Sequence, residues 1–310
     1  MSALIQVEHL TFHYPGTCAL DDVSFSIEAG TVTALVGPNG AGKTTLLSCL
    51  AALERPLAGR ILLNGIPVLE EPRLSHSHIG YLPDFFGLYD ELTVRQCLRY
   101  TAMAQGIAPE LVRAAVEKAI ARVQLVDRAD AQAGTLSRGL RQRLAIAQAI
   151  IHEPRVLLLD EPASGLDPDA RRHLSELLLA LRAQGMTIVV SSHILTELND
   201  YSTHMMVIRS GRLVEHLRLG DHEDGERRTL DLRLSRAVEQ LAERLGRLPG
   251  VEKVQADGTQ AELVFRGDLD AQHELLKLLL AADLPVCALA ARQQNLQQAY
   301  LDGQSSSIET

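Results

Sequence analysis

The sequence predicts an α/β chain: a mainly parallel sheet covered on both faces, followed by a small α+β module. Three observations predict it. Val32-Thr33-Ala34-Leu35-Val36 runs into a glycine-rich loop and then a helix-like stretch, Leu46-Leu47-Ser48-Cys49-Leu50. Val156-Leu157-Leu158-Leu159 and Thr187-Ile188-Val189-Val190 are continuous apolar runs separated by a helical stretch from Ala170 to Ala183, the pattern of parallel strands buried on both sides. Beyond residue 228 the patterns follow the order β-α-β-β-α-β, that of a ferredoxin-like module.

The elements follow in chain order. Ile5/Val7, Val23/Phe25/Ile27 and Val32/Ala34/Val36 alternate with polar neighbours as strands do. Ile61-Leu62-Leu63 enters a tight turn at Asn64-Gly65, and Ile79-Gly80-Tyr81-Leu82 is a short strand stopped by Pro83. At Thr93 the period changes. Thr93 and Gln96 form a capping-box pattern that opens a helix to about Gln105. Pro109 fits the first turn of a second helix, whose apolar face is Val112, Val116, Ala119, Ile120 and Val123. Residues 85–135 are therefore a mainly helical insertion. Met205 to Val214 reads as a hairpin around Ser210-Gly211.

Gly220 to Arg228 is polar, charged and glycine-bearing, as a linker is. It divides the chain into 1–220 and 221–310. In the second part Leu230/Leu232/Leu234 alternate as a strand and Ala237 to Leu248 has helical spacing. Two strands flank Asp257-Gly258, Ala271 to Ala281 is a helix, and Val286 to Leu289 is the last strand. The serine-rich tail at 304–307 is expected to be disordered.

The chain has 310 residues, which predicts roughly two domains. Hydrophobic content of 46% supports a sizeable core, and a net charge of −9 argues against a surface that coats nucleic acid. Cys18, Cys49, Cys97 and Cys287 have no metal-ligand spacing, so isolated and mostly buried thiols are expected. The start of the chain has no basic, apolar leader pattern. No stretch approaches roughly 18 uninterrupted apolar residues, so a membrane role is expected to come through a partner.

The loop Gly37-Pro38-Asn39-Gly40-Ala41-Gly42-Lys43-Thr44-Thr45 is a P-loop in its strand–loop–helix setting. Its glycines let a polyphosphate touch backbone N–H groups, and the helix that follows turns its positive end to the same phosphates. Lys43 is placed to reach the β- and γ-phosphates, and the Thr44 hydroxyl to meet Mg²⁺. The apolar strand ending in Asp160-Glu161 supplies the remaining groups. Asp160 suits magnesium through its water shell, and Glu161 suits orienting or deprotonating the attacking water.

With these residues in place, a resemblance to the ATP-binding-cassette (ABC) ATPases covers about residues 4–220. Leu136-Ser137-Arg138-Gly139-Leu140-Arg141-Gln142-Arg143 resembles the family's signature motif, Ser164-Gly165-Leu166-Asp167 its D-loop, and Ser191-Ser192-His193 its switch-histidine segment. Tyr14, before Pro15-Gly16, is similar to the aromatic residue that stacks on adenine. The resemblance implies a P-loop NTPase with a mainly parallel sheet, an antiparallel β subdomain and a helical insertion. It implies ATP and Mg²⁺ as cofactors, with ATP contacts at Tyr14, Gly37, Asn39, Gly40, Gly42, Lys43, Thr44 and Thr45. It implies a homodimer in which Ser137 and Gly139, opening a helix from about Leu140 to Ile151, meet the γ-phosphate of the partner's ATP. Asp167 would serve as the D-loop acid and His193 as a γ-phosphate sensor. The chain departs from the family at Asp84, where glutamine is common, and at Arg138 and Leu140, where glycine and glutamine are usual. Asp84 remains able to reach the metal or the water, and Arg138 to pair with a phosphate or a partner carboxylate.

An acidic residue at 84 and the carboxy-terminal module resemble the ATPases of ABC-2 type exporters. That implies a separate integral membrane permease, received at the 85–135 insertion where Phe85, Phe86, Leu88 and Tyr89 offer apolar surface. It also implies a cytoplasmic protein, peripheral on the cell membrane, with no nucleic-acid partner. Two other readings compete: a soluble ABC ATPase acting on nucleic acid or ribosomes, and a regulatory ATP binder. The first usually brings coiled-coil insertions, zinc cysteines or paired cassettes, which this chain lacks; intact Lys43, Asp160, Glu161 and His193 oppose the second.

Overall fold

Alternating apolar residues build the first sheet. β1 (Ala3–Tyr14) and β2 (Thr17–Glu28) pair antiparallel around Pro15-Gly16, and β1 pairs along its other edge with β4 (Ala58–Leu63). Asn64 and Gly65 both take positive φ, 49° and 81°, the requirement of a tight hairpin turn, and return the chain as β5 (Ile66–Pro67). This is the antiparallel β subdomain. The computed structural model describes residues 3–193, 198, 200–219 and 227–291. Its contacts form two compact units that part at residue 220.

The second sheet has the order β10-β9-β3-β8-β7-β6. Its strands are β3 (Val32–Val36), β6 (Ile79–Leu82), β7 (Val156–Leu159), β8 (Thr187–Ser192), β9 (His204–Arg209) and β10 (Arg212–Arg218). All run parallel except β10, which returns antiparallel from the turn at Ser210-Gly211. Every residue of β3, β7 and β8 is buried, so neither face of the central sheet meets water. On one face Leu35, Leu158 and Val189 pack with the first sheet and with α1 (Lys43–Leu50). On the other, Val36, Leu159 and Val190 share a core with helices α3 to α6.

Those helices are α3 (Val94–Ala104), α4 (Pro109–Arg122), α5 (Arg138–Ile150) and α6 (Pro168–Ala183); a short α2 (Pro72–His76) precedes β6. The capping box of α3 is complete: Thr93 N–H donates to Gln96 Oε1 at 2.8 Å, and Gln96 N–H to Thr93 Oγ1 at 3.2 Å. The α4 stripe Val112, Val116, Ala119 and Ile120 is buried, together with Val123 at the helix end. α5 starts two residues before the predicted Leu140, because the Ser137 hydroxyl caps it by accepting the Leu140 N–H.

The second unit is an antiparallel sheet of order β12-β13-β11-β14. In sequence it runs β11 (Arg227–Leu234), α7 (Leu241–Gly246), β12 (Val251–Asp257), β13 (Gln260–Arg266), α8 (Leu269–Ala281) and β14 (Val286–Ala291). Leu230, Leu232, Leu263, Phe265, Leu275 and Leu279 form its core. The helix expected over Ala237 to Leu248 is shorter, since Gln240 sits in the left-handed region at φ 54° and α7 begins only after it. Of the expected linker, residues 220–226 lie outside the described residues, as does the serine-rich tail, while Arg227 and Arg228 are already in β11. Cys49 and Cys97 are buried, but Cys18 and Cys287 are exposed, so half of the thiols depart from the expectation.

Strand register now dictates what meets at one edge. Val36 of β3 pairs with Ser192 of β8, Val190 of β8 with Leu159 of β7, and Leu159 with Leu82 of β6. All these strands end on the same side. The residues that follow them are Gly37, His193, Asp160 and, after Pro83, Asp84.

Candidate active site

The glycines of the loop are demanded by space as well as by conformation. Gly40 and Gly42 take φ of 78° and 108°. A Cβ on Gly37 would collide with the Ile208 carbonyl, and one on Gly42 would crowd the Ala19 carbonyl. The loop is thus held against its neighbours with its backbone bare, and α1 starts at Lys43. The Lys43 side chain is buried. Its Nζ donates to the Gly37 carbonyl at 2.8 Å and the Pro38 carbonyl at 3.3 Å, and lies 3.5 Å from Glu161 Oε1. Thr44 is exposed beside it and Thr45 is buried. Asn39 and Gly40 are exposed at the loop's crest.

Asp160 is 1% exposed at the end of β7. A buried carboxylate needs hydrogen bonds, and Ser191 provides one: its Oγ donates to Asp160 Oδ1 at 2.5 Å. The same Oγ accepts the Glu161 N–H at 2.9 Å. Ser191 therefore locks both acids to β8, the strand between β3 and β7. Glu161 has φ 46°, a left-handed backbone that costs a non-glycine residue about 1 kcal/mol or more. Its carboxylate is shared between Lys43 and His193, whose Nδ1 lies 2.8 Å from Glu161 Oε2. His193 is half exposed, while Glu161 is mostly covered.

Asp84 is exposed beside these acids. Its carboxyl is held above the usual aspartate range, first by partial desolvation and then by the charges of Asp160 and Glu161; Arg138 and His193 pull the other way. The neighbouring Tyr81 hydroxyl is also pushed up, chiefly by burial.

The structure thus brings Lys43, Asp84, Asp160, Glu161 and His193 to one sheet edge. The P-loop residues Gly37, Gly42 and Thr44 adjoin Lys43 there, whereas Ser137, Gly139, Asp167 and Tyr14 make their contacts elsewhere. Ser137 is exposed and caps α5. Gly139 packs so closely on Ala170 of α6 that a Cβ would crowd the Ala170 Cβ. Asp167 caps α6, its Oδ1 accepting the Ala170 N–H at 2.8 Å. Tyr14 is 45% exposed at the end of β1 and meets the Phe12 ring edge-on, centroids 4.9 Å apart. The bridging part of Ser191 was missed by sequence reasoning. Its only signal is a hydroxyl at the end of an otherwise apolar strand. Within its own chain Arg138 donates to the Ser164 carbonyl at 2.8 Å.

The donor set suits magnesium. Asp160 and the Thr44 hydroxyl are hard oxygen ligands, and no group of three or more His, Cys, Asp or Glu among the described residues is built to cage an ion alone. An ion that takes phosphate oxygens and water for most of its shell fits such a site.

A bare phosphate-binding loop facing an acid pair at a parallel sheet's edge defines a P-loop nucleoside triphosphatase. Comparisons narrow the class. The ABC transporter family profile matches residues 20–164. Among curated proteins, the Nod factor export ATP-binding protein I of Burkholderia orbicola (strain AU 1054) is 37% identical over 212 residues, covering 68% of this chain and 70% of that protein. Its namesake in Rhizobium meliloti is 34% identical over 213 residues, covering 69% and 64%. Among solved structures, an ATP-binding subunit of an ABC transporter aligns with TM-score 0.62 at 31% identity, covering 72% of this chain and 92% of that one. The cbiO1 subunit from Clostridium perfringens, part of the ABC transporter complex cbiONQ, aligns with TM-score 0.64 at 29% identity, covering 70% and 89%. The chain belongs to the ABC transporter family, as an ATP-binding subunit, and it is an ATPase.

Proposed function

We propose that this subunit powers an exporter by hydrolysing Mg·ATP while seated on a separate ABC-2 type permease at the cytoplasmic face of the membrane. The observation that carries the hydrolytic part is Glu161, held between Lys43 and His193 on a backbone pinned by Ser191. Bound phosphate would compete for Lys43 Nζ, which now serves the loop's own carbonyls and Glu161. Freed of that partner, the Glu161 carboxylate accepts a proton from, or orients, the water that attacks the γ-phosphate. His193 then contacts the γ-phosphate from β8's end. Thr44, Asp160 and Asp84 would hold Mg²⁺, which would supply neutralisation of the phosphate charge. Tyr14 stacks on adenine, and Gly37, Asn39, Gly40, Gly42 and Thr45 line the phosphates.

Two copies face each other head to tail, each offering Ser137, Gly139 and Asp167 to the other's nucleotide. The direction of transport rests on the relatives named for Nod factor export, on Asp84 and on the second unit. Residues 1–220 form the ATPase domain, with 85–135 as its helical subdomain. Residues 221–310 form an accessory domain that supports the dimer. Among the described residues no helix is long and apolar enough to cross a membrane, and the partner permease would supply the spans. Phe85, 91% exposed, and Tyr89, 55% exposed, offer it apolar surface.

The test is Glu161→Gln. ATP binding should survive and turnover should fall by at least ~100-fold, the scale of a lost general base. Unchanged turnover in a steady-state phosphate assay would remove Glu161 from this part.

A further inference from the structure

The start of α5 lies against the segment that follows Glu161. Arg138, the first residue of that helix, donates Nη2–H to the Ser164 carbonyl at 2.8 Å. Its guanidinium lies over Gly165, where a Cβ would run into the Arg138 Cζ and both terminal nitrogens. Gly165 has φ 66°, so glycine there allows both the left-handed turn and the close approach of the arginine. Ser164 in turn donates its N–H to the Glu161 carbonyl at 3.0 Å. The chain of contacts is therefore Arg138, Ser164, Glu161. It ends on a residue whose backbone is in a costly conformation and needs its surroundings to hold it.

Two attachments fix Glu161 from opposite sides. Ser191 Oγ accepts its N–H, and its carbonyl accepts the Ser164 N–H that closes the turn. The first belongs to the sheet. The second is tied through Arg138 to α5, the helix whose exposed start bears Ser137 and Gly139. A planar donor fork lying flat on a glycine defines direction better than a flexible ammonium.

We propose that Arg138 is a positioning residue: it clamps the 161–165 turn and so aims the Glu161 carboxylate, making water activation depend on where the start of α5 sits. This rests on the assignment of Glu161 above. It gives the arginine a task in its own protomer, on a carbonyl, in place of a phosphate contact.

The experiment uses the full-length chain with Mg·ATP. Arg138→Ala should lower kcat about 10-fold and leave KM for ATP within about 2-fold, the split expected when only the transition state loses support. Amide hydrogen exchange at Glu161 and Ser164 should quicken as the turn loosens. Arg138→Lys, which keeps a donor but loses the planar fork, should recover part of kcat, whereas Arg138→Met, which keeps only the stem, should recover none. Three results would overturn the proposal: an unchanged kcat; a rise in KM alone, the mark of a nucleotide contact; or a loss of kcat with exchange at Ser164 unaltered. The assignment of Glu161 fails separately, through Glu161→Gln turning over normally. A slow Glu161→Gln beside a normal Arg138→Ala defeats the clamp and spares the acid.

Discussion

The edge that carries Lys43, Asp160, Glu161, Ser191 and His193 and the segment that carries Ser137 and Gly139 belong to the same unit, yet they are built differently. At the first, mostly covered polar groups partner one another, lysine with carbonyls and an acid and a serine with two acids, and the half-exposed histidine meets Glu161. Such mutual satisfaction in a covered site rigidifies it before any ligand arrives. At the second, Ser137 is exposed and uses its hydroxyl only to cap its own helix, at 3.4 Å. The first region is a site in itself. The second is a presenting surface, and its helix start turns positive charge outward. On the proposed function a protomer therefore holds two unlike halves, and hydrolysis is the event that would need both.

Breaking the interlocked region should cost most. Ser191→Ala removes the proton donor to Asp160 and the acceptor of the Glu161 N–H. Each unmade buried hydrogen bond costs about 1–3 kcal/mol. Turnover should fall about 100-fold, and denaturant unfolding should show a clear loss of stability. Near-normal values of both would mean that β8 does not hold the acids in place.

Breaking the presenting surface should cost less within one protomer and show elsewhere. Ser137→Ala loses a helix cap worth about 1 kcal/mol. ATP affinity of the single chain should stay the same while turnover falls about 10-fold. An equal fall in affinity, read by nucleotide titration, would place Ser137 in its own protomer's site and erase the contrast.

Asp84 sharpens the comparison most gently. Its folded-state pKa is raised, so the fold favours the protonated form. Its favourable contribution is complete below the unfolded value near 3.8 and is lost as pH rises through the folded value; at neutral pH the ionised group is a net strain on the site. Asp84→Gln should therefore match or slightly exceed the parent in Tm at pH 7, with that advantage gone at pH 4. Activity should remain within about 3-fold. Complete loss of turnover would show the carboxylate to be indispensable.

Much of this was legible in the residues. Strand runs around 32–36, 156–159 and 187–190, the capping box at Thr93, and the turn at Asn64-Gly65 all signal locally and appear as expected. The P-loop lysine and the acid pair were legible because their spacing encodes a chemical need. What could not be read is long-range or conformational. The tie from Arg138 to Ser164 spans 26 residues, and nothing in the local pattern aims the side chain there. The bridging of Ser191 depends on the register of β7 against β8. The shortened α7 turns on the left-handed Gln240, a backbone choice that glutamine does not advertise.

The proposed function requires two copies of the chain to supply the two unlike halves around shared nucleotide. The measurement is the mass of full-length Glu161→Gln by sedimentation, with Mg·ATP and then with Mg·ADP. A doubled mass with ATP that reverts with ADP is the predicted result. A single-chain mass at saturating ATP, with nucleotide shown to be bound, would contradict it.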